Sequence, residues 1–198
     1  FPVVGGPDLT FNGSGDAFVA KVNASGSALI YCGYVGGDDA ERGNAIAIDA
    51  VGNVYIAGQT FSAQATFPDG DGFGGLPGFD QTFNDANFSS DAFIVKINAA
   101  GSAFSYASYL GGDKFDAATS LAVEPGGIAY VAGQTSSAQA GFPGGAGFGA
   151  TPGFDQTYNG GFEDGFLVKL NAAGTTLGYA TYLGGDDDDF IAGVAIDG

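Results

Sequence analysis

The chain has 198 residues, enough for one domain with a substantial core, in which a globular fold buries roughly 70% of its unfolded surface. A hydrophobic content of 45% excludes a disordered chain, and 37 glycines speak against a helical one, since each glycine weakens a helix by about 1 kcal/mol. Five basic against 22 acidic side chains leave a net charge of −17, a field that repels the phosphate backbone of nucleic acid and anionic lipid surfaces.

The side-chain inventory narrows the chemistry further. There is one cysteine, Cys32, and no His, Met or Trp, so neither a disulfide framework nor a His-based metal or proton-transfer site can be assembled. Cys32 lies in an apolar run and reads as a small buried hydrophobe. No stretch reaches the roughly 18 apolar residues of a membrane span, and no basic-then-apolar leader opens the chain. A chain that begins with Phe1 reads as a processed product or an excised piece.

In chain order, residues 1–15 (FPVVGGPDLTFNGSG) are glycine- and proline-rich. Four short apolar runs follow, at 17–22, 28–35, 45–48 and 54–57, rich in β-branched and aromatic residues. They predict four strands. Asn23-Ala-Ser-Gly26 joins the first two and Asp49-Ala-Val-Gly-Asn53 the last two, lengths that suit hairpins. The expectation is one antiparallel four-stranded meander. A long connection from Phe67 follows, with aromatics at Phe73, Phe79 and Phe83 that should pack down on the strands.

The pattern then repeats. DAFVAKVNASG from Asp16 returns as DAFIVKINAAG from Asp91 and DGFLVKLNAAG from Asp164, an internal repeat. Repeat 1 spans 16–90, repeat 2 spans 91–163 and a truncated repeat 3 spans 164–198. Residues 1–15 are a shortened copy of the connection, with Phe1-Pro2 aligned to Phe67-Pro68. The third copy stops at VAIDG, so three copies of the first three strands are expected and two of the fourth.

The motifs DAFVAKVN, YxGG, AID…GNVYIAGQT and FP…GFDQT, in that order over essentially the whole chain, resemble the bacterial and archaeal β-propeller repeat family known as the SBBP or seven-bladed β-propeller repeat. The resemblance implies four-stranded blades in secreted or cell-surface proteins, usually without an assigned catalytic activity. The fold expected is therefore all-β, with tandem four-stranded antiparallel propeller-type blades joined by long Gly/Pro-rich connections. A closed propeller takes about four to eight blades, and this chain supplies about two and a half, which leaves strand edges open to another chain.

Several residues are candidates for a site. Asp38, Asp113 and Asp186 follow equivalent Gly-Gly pairs, and Asp186, Asp187, Asp188 and Asp189 form an acidic run; both are oxygen-rich turns of the kind calcium takes, or simply solvated turns or carboxylates that cap backbone amides. Calcium is the one cofactor left open. Asp69-Gly-Asp71-Gly begins like a calcium loop but lacks the downstream Glu. Asp8, Asp80 and Asp155, each in Asp-x-Thr-aromatic-Asn, read as side chains that tie down their own turns. Lys21, Lys96 and Lys169 recur in the first strand of each repeat and are expected to pair with Asp16, Asp91 or Asp164. Asn12, Asn23 and Asn87 match the glycosylation acceptor pattern. No catalytic set stands out.

The function expected is a non-catalytic extracellular or cell-surface structural repeat protein. It would self-associate into a filament or surface array by completing blades between copies, with residues 1–15 as a strand donor. The alternative is a calcium- or glycan-binding adhesive module of a larger secreted protein. The partners expected are further copies or adjacent repeats, with glycan left open, no nucleic acid and no membrane span.

Overall fold

Strand-forming sequence is confined to short runs between glycine-rich turns, and ten of these runs form strands: β1 (Ala17–Val22), β2 (Leu29–Val35), β3 (Glu41–Ile48), β4 (Val54–Thr60), β5 (Asp91–Ile97), β6 (Phe104–Leu110), β7 (Asp116–Val123), β8 (Ala129–Thr135), β9 (Asp164–Leu170) and β10 (Leu177–Leu183). The structure is a computed structural model that describes residues 1–84 and 89–197. The protein is all-β, with every strand pair antiparallel. Among the described residues, no helix is long and apolar enough to cross a membrane.

The strands fall into a two-stranded sheet, β1-β2, and two four-stranded sheets, β3-β4-β5-β6 and β7-β8-β9-β10. This corrects the expected meander. The sheets are offset by half a repeat from the sequence repeats, because β2 does not pair with β3 and the long connection instead brings β5 back antiparallel onto β4. The short link from β2 to β3 is a crossing between sheets, and the repeat boundary at Asp91 lies inside one. A second correction concerns the third copy of the third strand: residues 190–197 form no strand. Strands β3 and β7 each hold their place by laddering to a following strand, β4 or β8, whereas residues 190–197 ladder to none of the described strands.

The sheets stack in series around two cores. One joins Val19, Tyr31 and Val35 of the β1-β2 sheet to Phe93, Val95 and Tyr109 of the next. The other joins Ile94, Tyr106 and Leu110 of that sheet to Val131, Phe166 and Tyr182 of the third. Strand β5 is therefore covered on both faces, which is why DAFIVKI reads as a nearly unbroken apolar run. The two cores are repeats of one contact. Side chains alternate along each strand, so Phe93 faces the preceding sheet while Ile94 faces the following one.

The glycine-rich connections have a definite task. Each runs along the outer strand of a sheet and satisfies its free amides: Tyr109 N–H donates to Asp80 O at 2.9 Å and Tyr182 N–H to Asp155 O at 2.8 Å. Residues 1–10 do the same for β2, where Tyr34 N–H donates to Asp8 O at 2.8 Å and Cys32 exchanges two bonds with Val4. Exposed sheet edges invite pairing with other chains, and these segments close three of them. The expected donor segment thus lies along β2 of its own copy. As expected, Phe73 is buried and Phe79 and Phe83 pack against the cores; of their counterparts in the second connection, Phe148 is buried and Tyr158 packs against a core, but Phe154 is 93% exposed.

Candidate functional site

Three features recur with the repeat, and each is built from the sequence in the same way. The first is a carboxylate pair at the mouth of each sheet, buried at both members in Asp91–Asp116 and at one, Glu41 or Asp164, in the other two. The Gly-Gly turn after β2 curls so tightly that a Cβ on Gly36 would lie 2.5 Å from Glu41 Oε2 and 2.8 Å from Asp16 Cγ. After β6, a Cβ on Gly111 would lie 2.8 Å from Asp91 Oδ1 and 2.9 Å from Asp116 Oδ2. After β10, one on Gly184 would lie 2.5 Å from Asp164 Oδ1 and 3.0 Å from Asp189 Oδ2. Glycine is required there by the acids that close over it.

Each pair is wired to the backbone. Asn12, Asn84 and Asn159 donate their N–H groups to Asp16, Asp91 and Asp164 at 3.0, 3.1 and 2.9 Å, tying the end of each connection to the next strand. On the other side, Glu41 accepts from Gly37 N at 3.0 Å and Thr60 Oγ1 at 2.6 Å. Asp116, fully buried, accepts from Gly112 N and Ser137 Oγ, both at 2.8 Å. Burial pushes Asp116 up to about 7, with the charge of Asp113 adding to it. Burial also raises Glu41, helped by Asp16, and raises Asp164, helped by Asp189.

The second feature is a clamp on the recurring lysine, and it corrects the expected pairing. Lys96 does not meet Asp91, which lies five residues away along β5, about 17 Å at strand rise. Its Nζ sits 5.0 Å above the ring centroid of Tyr55, its register partner, and 4.0 Å from Asp49 Oδ2, and it donates to Ala172 O at 3.4 Å in the following sheet. Lys169 likewise lies 4.9 Å above Tyr130 and 3.7 Å from Glu124 Oε1. The Tyr130 hydroxyl raises the pKa of the Lys169 ammonium. Asp49 is buried, which works to raise its pKa, but hydrogen bonds from Asn53, Tyr55 and Val51 outweigh burial and lower it.

Lys21, the third copy, is exposed, and among the described residues it has neither an aromatic face nor an ion pair. Among the described strands β1 pairs with β2 and none lies on its clamp side. This free edge is the third feature. Beside it, Ile46 and Ile48 of β3 are 61% and 63% exposed, while their counterparts Leu121 and Val123 pack against a core. A groove of about 130 Å³ runs between β1 and β3, lined by Val19, Lys21, Tyr31, Ile46 and Ile48 among others.

The remaining candidates are placed as follows. Asp38, Asp113, Asp186, Asp187 and Asp188 are exposed; Asp38 accepts from Thr66 Oγ1 at 2.6 Å, and Asp189 turns back to accept from Gly185 N at 2.6 Å. Among the described residues, no three acidic, cysteine or histidine side chains gather as a metal-ligand group. Asp69 accepts from Asp71 N at 3.3 Å within its own turn. Asp8, Asp80 and Asp155 each accept from the Thr two residues on and the Asn four residues on, all at 2.9 Å, as the motif predicts. Asn12 spends its side-chain amide on Asp8, and Asn23 accepts from Ser27 N at 2.9 Å to close the β1-β2 hairpin. Asn87 lies outside the described residues.

The carboxylate pairs were the feature that motif reading missed. Glu41, Asp116 and Asp189 each stand five residues after the first glycine of a Gly-Gly-Asp turn, a regularity visible once the repeats are aligned. No protein-family model matches the chain, and no curated protein matches it significantly.

Proposed function

We propose that the protein is a non-catalytic structural repeat protein of the cell exterior, whose stacked sheets are propeller-type blades and which self-associates into a filament or surface array by completing blades between copies. The observation that carries this reading is the half-built sheet: β1 and β2 stand as two strands where their counterparts β5-β6 and β9-β10 stand in fours, with the β1 edge and Lys21 open. At the other end, residues 189–197 follow β10 as β3 follows β2 and β7 follows β6, yet they pair into none of the described sheets. Thr119 Oγ1 holds Ile191 O at 2.8 Å, much as Asn44 Nδ2 holds Ala118 O at 2.8 Å between the two complete sheets. With residues 1–10 engaged on β2, this C-terminal segment is the natural donor to the open edge of another copy.

The carboxylate pairs and lysine clamps are read as fastenings of the scaffold, since the same arrangement recurs from sheet to sheet. Negative-stain electron microscopy of the purified chain tests the reading. Regular fibres or sheets that persist in chelator and in high salt support it; single particles of one copy at every concentration refute it.

A further inference from the structure

The two ends of the stack carry opposite halves of a contact that the molecule already makes twice within itself. In the β3-β6 sheet, Phe67 lies 5.3 Å from Phe93 and 5.3 Å from Tyr109, and this trio packs on the sheet before it. In the β7-β10 sheet, Phe142, Phe166 and Tyr182 repeat the trio at 5.2 and 5.3 Å. The β1-β2 sheet has the same trio, Phe1 against Phe18 at 4.8 Å and against Tyr34 at 5.3 Å. Among the described residues no sheet covers this trio, and Phe1 and Phe18 are 64% and 58% exposed.

The receiving surface is equally unfilled at the far end. Tyr106 and Leu110 are buried at 1% and 0% because the third sheet covers them, whereas Leu183, the counterpart of Leu110, is 42% exposed and Tyr179, the counterpart of Tyr106, is half-buried. Phe79 packs at Gly144 of the next connection, while its counterpart Phe154 projects into solvent. These residues line a largely apolar groove of about 510 Å³. One backbone detail fits both halves. Gly101 and Gly174 come so close to Tyr31 and Tyr106 of the preceding sheets that a Cβ would clash at 2.2 and 2.4 Å, but Gly26, at the same place in the β1-β2 hairpin, has nothing within 4 Å.

We infer that the aromatic face of β1-β2 docks on the β9-β10 face of a second copy of this chain, head to tail, with Phe18 over the groove at Leu183 and the Gly26 turn on Tyr179. The occupant is a second copy because each face matches the partner that its counterparts have inside the chain. Such a contact is heterologous and propagates from copy to copy. The inference rests on the self-association proposed above and names its surface.

The test is a mixing experiment followed by sedimentation velocity, with folding of each variant checked by far-ultraviolet circular dichroism. Phe18→Arg blocks one face and Leu183→Arg the other, both at positions already exposed. Wild type should sediment faster as concentration rises, and each variant alone should remain a single copy. The two variants mixed should form a one-to-one pair that grows no further. If Phe18→Arg folds poorly, Phe11→Arg, at a ring 55% exposed on the same face, replaces it. Variants that assemble as wild type does, or that fail to pair when mixed, overturn this interface while leaving self-association standing. A wild type that stays single throughout overturns both.

Discussion

Replacing Asp116 by Asn should remove a large part of the pH dependence of stability between about pH 4 and 7. The carboxyl is pushed by burial from 3.8 to about 7, and about three units at 1.36 kcal/mol each amount to about 4 kcal/mol. The sign follows from proton counting. Between these values the folded protein keeps the proton that the unfolded chain has released, so the stabilisation is fully present below about pH 4 and is lost as pH rises through 7. Asn keeps an acceptor for Gly112 N and Ser137 Oγ but cannot ionise beside Asp91 and Asp113. Urea unfolding at half-unit steps from pH 4 to 8 measures the effect: wild type should lose about 4 kcal/mol more than Asp116→Asn over that range. Parallel curves for the two proteins would refute the assignment of a buried, protonated acid at this junction. Glu41 shares the sign. Asp49 and Asp155, both held low by hydrogen bonds, act oppositely and withdraw their support as pH falls below about 4.

Further expectations separate structural from exposed positions. Gly111→Ala should cost about 2 kcal/mol or more, because its Cβ would press on two carboxylates and the turn cannot retreat, whereas Gly126→Ala, with open space around it, should be neutral or slightly stabilising by chemical denaturation. Tyr55→Phe should cost about 1 to 2 kcal/mol by removing the hydroxyl that donates to buried Asp49 at 3.0 Å, while the bonds from Asn53 and Val51 remain, and Lys21→Ala should stay within about 0.5 kcal/mol of wild type in the single copy. Phe93→Ala should cost about 3 to 5 kcal/mol and Phe154→Ala almost nothing, since one ring is fully buried and the other 93% exposed. Self-association should strengthen with added salt, because each copy carries a net charge of −17 that must be screened.

Strand identity was legible because the runs at 17–22 and 54–57 combine β-branched and aromatic residues between turn residues, and local pattern is enough for that. Sheet membership was not. The link from Val35 to Glu41 is short and the one from Thr60 to Asp91 long, so nearness in sequence favoured the wrong pairing; what decides is that β5, apolar on both faces, must lie between two layers. The lysines recur visibly, but their partners Asp49 and Glu124 lie in the turn before the neighbouring strand, a proximity that depends on the β4-β5 register. The paired acids at 41, 116 and 189, the first two buried and the third half-buried, were hidden by the more conspicuous exposed acids beside them in the same turns.

Hydrogen exchange of the β1 backbone amides across a concentration series is the most direct test of sheet completion between copies. In the single copy, the amides of Ala17–Val22 that point away from β2 have no strand to bond among the described residues and should exchange freely; on assembly they should become protected while β5 and β9 remain unchanged. Exchange at β1 that stays fast in the assembled material, or that is already slow in dilute protein, would contradict it.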